Sequence, residues 1–169
     1  EAMALDARTG KIKWGFQYTP NDAWDYDGNN APVLLDVTLD GSLRKVAVQS
    51  NRNGFLYVLD RETGEFLYAV PTIEGINWAE GLDPKTGRPI VNEAKRPKSG
   101  GERIEPIVPG LEGGTNWFPI AADPEKGIVY LNADANVYDL AGKKIARSHV
   151  GDRIGSYGRN GKSNWWIVN

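Results

Sequence analysis

One phrase recurs along this chain of 169 residues: an apolar residue, an aspartate, three more residues, a glycine, then a strand-like run. It reads Leu5-Asp6-Ala7-Arg8-Thr9-Gly10, Leu59-Asp60-Arg61-Glu62-Thr63-Gly64 and Leu82-Asp83-Pro84-Lys85-Thr86-Gly87. A weaker copy is Ala122-Asp123-Pro124-Glu125-Lys126-Gly127. An aspartate can cap a turn with its side chain and glycine supplies a positive φ, so each copy predicts a tight hairpin. After the first copy, Lys11-Ile12-Lys13-Trp14 alternates in character, as a half-buried strand does. Asp6 to Asp60 is 54 residues, Asp60 to Asp83 is 23 and Asp83 to Asp123 is 40. Hairpin units at uneven intervals of tens of residues predict an all-β fold, a β-propeller with insertions rather than a tight solenoid. Twenty glycines, ten prolines and six tryptophans suit short strands joined by turns.

Between the first two copies lie three strand-sized runs, Val33–Val37, Lys45–Gln49 and Phe55–Leu59. Asn53-Gly54 predicts a type I′ hairpin turn joining the last two. Residues 91–115 are rich in glycine, proline and charge, and read as a long loop. Beyond residue 134 the pattern degrades. Residues 1–134 are therefore expected to form the propeller part and 135–169 a divergent tail. Tyr138–Ile145 offers a last hairpin, and the apolar burst Trp165–Val168 an edge strand packing back onto the sheet. Glu1–Asp6 enters the repeat midway and carries no signal-peptide pattern, as expected of a chain cut from something longer.

Composition removes several classes of function. There is no cysteine, hence no disulfide, thiol catalysis or cysteine-ligated zinc. The single histidine, His149, has no nucleophile motif around it and reads as a surface residue. Net charge is −2 without a basic patch, which argues against a nucleic-acid partner. No apolar run approaches the length of a membrane-spanning helix.

The densest chemistry lies in Pro20–Asn30, where Trp24-Asp25-Tyr26-Asp27-Gly28 crowds acids and aromatic rings together. Drawn extended, Asp25 and Asp27 share one face, roughly 6–7 Å apart, and Trp24 and Tyr26 the other. Two such carboxylates repel unless a cation sits beside them, and a hard cation with oxygen ligands is the natural partner. One of them could instead serve as a base, and a solvated Asx-rich turn is the plain alternative. Arg52, beside the Asn53-Gly54 turn, is either a surface charge or a planar fork aimed at an anion. Gly113-Gly114 allows close backbone approach, and Asn116 beyond it offers both donor and acceptor.

Taken together, Ala4–Trp14, Thr19–Gly28, Asn51–Arg61 and Gly113–Trp117 resemble the quinoprotein alcohol dehydrogenases, the PQQ-dependent methanol and ethanol dehydrogenases. The resemblance covers roughly residues 2–133. It implies an eight-bladed propeller whose blades are joined by tryptophan docking motifs, of which this chain would supply about three to four blades. By the resemblance Asp25 is the catalytic base and a metal ligand, and Asp27 an additional ligand of the lanthanide-using members. Arg52 lies beside the quinone carbonyls as a catalytic and cofactor-binding residue. Asn116 contacts the quinone and Trp117 lines the same pocket. Implied cofactors are PQQ and Ca²⁺ or a lanthanide ion. Implied partners are a small primary alcohol and a cytochrome c electron acceptor in the periplasm; a homodimer of the full-length enzyme is allowed. The family's remaining metal ligands and quinone floor would precede residue 1, so the isolated chain is expected to be inactive. Two alternatives share the repeats: a non-catalytic propeller scaffold in envelope protein assembly, and a quinoprotein sugar or polyol dehydrogenase. The scaffold has no need of Asp25, Asp27, Arg52 and Asn116 together.

Overall fold

A computed structural model describes residues 1–39, 41–117 and 119–131 with their side chains, and the backbone of four further strands, 136–138, 144–147, 153–157 and 163–167. The first phrase is a hairpin joining β1 (Ala2–Leu5) to β2 (Ile12–Phe16). Its turn is built as the residues dictate. Asp6 accepts from the N–H groups of Arg8 at 3.1 Å and Thr9 at 2.8 Å and from the Thr9 hydroxyl at 2.9 Å. The Gly10 N–H returns to the Asp6 carbonyl at 2.8 Å with φ at 68°, the left-handed region that glycine enters without strain. Asp60 and Asp83 repeat the arrangement with Thr63 and Thr86. In the fourth copy Lys126 takes the threonine position, and its ammonium reaches Asp123 at 2.6 Å.

The centre of the molecule is an antiparallel meander of four strands, β3 (Val33–Leu39), β4 (Ser42–Ser50), β5 (Phe55–Asp60) and β6 (Phe66–Pro71), in that spatial order. This is the shape of one propeller blade. Two-stranded units surround it: β1/β2, then β7 (Ala79–Leu82) with β8 (Pro89–Val91), and β9 (Ala121–Asp123) with β10 (Ile128–Tyr130). The chain is nearly all sheet, a partial β-propeller; one 3-10 turn at Glu93–Lys95 is the helical element among the described residues.

Both faces of the meander are covered, which is why Phe55–Leu59 is an unbroken apolar run rather than an alternating one. On one face Leu56 and Val58 join Leu35, Val37, Val46 and Val48 against Ile120, Val129 and Leu131. On the other, Phe55 and Tyr57 meet Tyr18, Trp24, Tyr26 and Trp78. Neighbouring units dock through aromatic rings set on repeat glycines. The Trp14 indole donates to the Arg61 carbonyl at 3.1 Å, and its ring lies where a Cβ on Gly64 would stand, 2.7 Å away. Phe66 covers Gly87 in the same manner. Glycine at these positions therefore answers two demands, a positive φ and a flat seat for a ring.

Three expectations need correction. The turn between β4 and β5 is present, but Gly54 alone takes a positive φ, 93°, whereas a type I′ turn requires one at Asn53 as well. The loop is a four-residue turn closed by the Gly54 N–H on the Asn51 carbonyl at 3.1 Å. Asn53 is held instead by its own amide, which bridges to Thr19 and Tyr57. At the C-terminal end, β11 (Asn136–Tyr138) and β12 (Lys144–Arg147) form the anticipated hairpin, but it is not the last. β13 (Arg153–Tyr157) and β14 (Ser163–Ile167) follow, and the Trp165-Trp166 burst pairs with β13 in its own two-stranded sheet rather than with the meander. A local partner ten or so residues away costs less loop-closure entropy than a distant edge. His149 and the boundary expected at residue 134 lie outside the described residues.

The repeat turns make stability depend on pH in a defined direction. At Asp6 and Asp83 the threonine hydroxyl, followed by the backbone N–H groups, holds the carboxyl below its ordinary value of 3.8. The Lys126 ammonium does so at Asp123. At Asp60 burial pushes upward but is outweighed by the N–H groups of Thr63 and Glu62, and the net shift is also downward. A depressed carboxylate contributes stability above its unfolded pKa and loses it as pH falls through the folded value. Thermal melts should therefore be insensitive to these groups between pH 7 and 5 and fall below about pH 4. Asp60→Asn should lower the melting temperature at pH 7 and shrink the acid-induced drop; an unchanged acid limb would refute this role.

Candidate active site

Residues 17–32 form the loop between β2 and β3, and it is held from inside by one carboxylate. Asp22 Oδ1 accepts from the Trp24 N–H at 2.9 Å, and Oδ2 from the Tyr26 N–H at 2.6 Å. The two rings turn inward. Trp24 and Tyr26 are buried, lie 6.0 Å apart and nearly parallel, and both meet the fully buried Trp78, at 4.9 and 5.3 Å. Each also has its polar end satisfied. The Trp24 indole N–H donates to the Lys95 carbonyl at 2.8 Å, and the Tyr26 hydroxyl to the Pro109 carbonyl at 2.6 Å. Arg96 lies 5.2 Å from the centre of the Trp24 ring and donates to the Asn21 carbonyl at 3.3 Å.

With both rings fixed, Asp25 and Asp27 face outward and are exposed. The alternation expected of an extended strand is therefore present, but the backbone producing it is not extended: Asp25 has φ of 65°. Among the described residues, the non-glycines with positive φ are Asn21, Asp25 and Trp117, all in the loops that meet here. Such conformations are sparsely populated and persist where the surroundings over-determine them. Neither the Asp25 nor the Asp27 carboxylate has a hydrogen-bonding or ion-pairing partner among the described residues. No group of three or more His, Cys, Asp or Glu side chains stands together there as a metal cage.

The turn at residues 51–54 passes beneath this loop. A Cβ on Gly28 would collide with the Asn51 amide, so only glycine lets the two segments lie this close. Residues 110–116 lie over the other side. The Gly114 N–H donates to the Arg52 carbonyl at 2.8 Å. A Cβ on Gly114 would stand 2.8 Å from Gly54 Cα, and one on Gly113 2.7 Å from Arg52 Cβ. This close seat brings Asn116 to the acidic loop, where its Oδ1 accepts from Asn29 Nδ2 at 2.8 Å while its own amide reaches Glu112 at 3.3 Å. Trp117 stands at the rim, 76% exposed.

Arg52 is half-buried and close enough to Tyr26 to act on it electrostatically. Burial, followed by Asp22, pushes the Tyr26 hydroxyl pKa upward, and Arg52 opposes both. One Arg52 Nη donates to the Leu111 carbonyl, while Nε is buried without an acceptor among the described residues; Asn51 Nδ2 is likewise unmet there. Two unmet donors on the turn, and two unmet carboxylates on the loop whose Gly28 packs against it, suit a ligand with anionic or carbonyl oxygens together with a hard cation. A cleft of about 560 Å³ opens along β1, Trp14 and Gly28, and two further buried atoms without partners, Asn30 Oδ1 and Gln49 Oε1, belong to side chains that line it. The structure thus gathers Asp25, Asp27, Arg52 and Asn116 at one end of the blade. Asp22, Asn29 and Trp78 were not anticipated from sequence. Asp22 could have been, as an acid two and four residues before buried aromatic positions; Trp78 lies alone in a loop and carries no such signal.

Residues 2–74 match the family profile described as the β-propeller domain of glucose, ethanol and alcohol dehydrogenases that use PQQ. The chain is homologous to quinoprotein alcohol dehydrogenases. It is 42% identical over 139 residues to the quinoprotein ethanol dehydrogenase of Pseudomonas putida, covering 78% of this chain and 22% of that protein. A solved structure of the quinohemoprotein alcohol dehydrogenase from Comamonas testosteroni superposes with a TM-score of 0.70 at 43% identity, over 78% of this chain and 19% of that one. A europium-containing methanol dehydrogenase superposes with a TM-score of 0.74 at 26% identity, over 98% of this chain and 39% of that one. The chain spans about a fifth of the length of the curated relatives it matches.

Gly114→Ala tests the docking that brings Asn116 into place. Overpacking against Gly54 Cα should cost roughly 1–3 kcal/mol and speed hydrogen exchange at Gly114. Wild-type stability and protection would show that the segment does not depend on this contact.

Proposed function

We propose that this chain supplies the catalytic base, the quinone-facing arginine and part of the metal site of a PQQ-dependent alcohol dehydrogenase, which oxidises a primary alcohol to an aldehyde. The observation that carries the reading is that Asp25 and Asp27 stand exposed and without partners, among the described residues, in a loop seated on the turn that carries Arg52, whose Nε is buried without an acceptor. Homology to quinoprotein alcohol dehydrogenases supports it.

When bound, PQQ would supply a hydride acceptor and the metal a Lewis acid. Four residues of this chain take part. Asp25, exposed and free of partners, takes the hydroxyl proton of the alcohol as that hydride leaves the adjacent carbon, so the carboxylate ends as a carboxylic acid and the alcohol as an aldehyde. Arg52 holds its permanent charge where negative charge gathers on the quinone oxygens, and its buried Nε gains an acceptor there. Asn116, oriented by Asn29, offers its amide to the same group. Asp25 and Asp27 serve as metal ligands, and the additional carboxylate of Asp27 favours a highly charged lanthanide ion over Ca²⁺. We place the protein in the periplasm, with a cytochrome c as the class of electron acceptor.

In the protein expressed from its own gene and loaded with PQQ and metal, Asp25→Asn should lower kcat for ethanol by about 10²- to 10⁴-fold. Asp27→Ala should abolish La³⁺-dependent turnover and retain Ca²⁺-dependent turnover. Wild-type kcat in Asp25→Asn would remove the base; an unchanged metal preference in Asp27→Ala would remove the lanthanide reading.

A further inference from the structure

Asp25 lies between two clamped amides. The N–H groups of Trp24 and Tyr26, immediately before and after it, both end on the carboxylate of Asp22, at 2.9 and 2.6 Å. Asp25 itself has the left-handed φ of 65° and makes no hydrogen bond of its own among the described residues. An aspartate in that region costs energy unless neighbouring contacts hold it there. The aromatic anchors fix where the Trp24 and Tyr26 rings lie, but a ring can stay seated while the peptide groups between two anchors rotate. Asp22 holds one of these directly, the Asp25–Tyr26 group, and holds the Ala23–Trp24 group just ahead of them. Its two oxygens are divided one to each N–H, an arrangement that a shorter or uncharged side chain cannot reproduce in full.

We infer that Asp22 is a positioning residue for Asp25: its carboxylate clamps the Ala23–Trp24 and Asp25–Tyr26 peptide groups, which bracket the Trp24–Asp25 unit, and so sets the direction in which the Asp25 carboxylate points. This rests on the reading of Asp25 as base. Asp22 touches neither substrate nor cofactor in this role. It acts through the backbone, by keeping the base in a conformation the chain would otherwise leave. A carboxylate displaced by even an ångström from the hydroxyl it must deprotonate loses rate without losing substrate affinity. The effect on the base should therefore exceed the effect on the fold, because Trp24 and Tyr26 keep their bonds to the Lys95 and Pro109 carbonyls.

The test compares Asp22→Ala and Asp22→Asn with Asp25→Asn in the protein expressed from its own gene, with amide hydrogen exchange measured beside steady-state kinetics. Asp22→Ala should speed exchange at the Trp24 and Tyr26 amides by about tenfold or more and lower kcat by about 10- to 100-fold, with KM for ethanol within about twofold of wild type. Asp22→Asn keeps one acceptor oxygen, so it should protect one of the two amides and recover part of kcat. Wild-type kcat in Asp22→Ala beside an inactive Asp25→Asn overturns this inference alone. So does an Asp22→Asn protein no better than Asp22→Ala, with KM and melting temperature moving together, since that marks a purely structural residue. Wild-type kcat in Asp25→Asn overturns the assignment of the base, and the inference with it.

Discussion

The burial of Trp24 and Tyr26 around Trp78 is the interaction on which the rest of the site depends. Two large rings separated by one residue cannot both enter the core unless the residues beside them leave it. Both rings bury apolar area and both find an acceptor for their polar end, the Lys95 and Pro109 carbonyls. That removes the usual cost of burying a tryptophan or tyrosine, an unpaired donor. Asp25 and Asp27 are then outward by necessity. The same anchors reach across 71 and 83 residues of sequence, so the segments that carry Lys95 and Pro109 are drawn to the acidic loop by the same contacts.

A second constraint is close approach. Gly28 lies against the Asn51 amide, and Gly113-Gly114 bring their backbone onto the 52–54 turn, where side chains would hold these segments apart. The consequence is a densely polar floor of Asn30, Gln49, Ser50, Asn51, Asn53 and Thr115, all buried. Most of its groups are paired with one another or with the backbone. Among the described residues the exceptions are Asn30 Oδ1, Gln49 Oε1, Asn51 Nδ2 and Arg52 Nε, and they lie on or near the acidic loop and the turn at residues 51–54.

Much of the architecture was legible in the residues because it is local. The Asp-to-Gly turns need only a carboxylate, a neighbouring threonine or lysine and a glycine within five positions, and all four copies form as read. The inward and outward alternation of residues 24–27 was legible too, since it follows from hydrophobicity alone. The backbone that achieves it was not, because the left-handed φ at Asp25 is imposed by Asp22 and by partners far along the chain. Asn53-Gly54 misled for a related reason. The dipeptide is able to form a type I′ turn, but the Asn53 amide finds Thr19, far back in the chain, and Tyr57 on the next strand, and those bonds set the turn type. The seating of the segment that carries Asn116 on the turn that carries Arg52 had no local signal; it came through the likeness of whole phrases to a family, and the structure supplies its physical cause in the paired glycines.

The central claim is that the exposed carboxylates of Asp25 and Asp27 converge on one cation. The most direct measurement is the anomalous difference density of a lanthanide in crystals of the protein expressed from its own gene, loaded with PQQ and the metal. A single strong peak about 2.3–2.6 Å from a carboxylate oxygen of both Asp25 and Asp27 is the predicted result. A lanthanide bound without Asp27, or two carboxylates that diverge around a fully occupied metal, would contradict it.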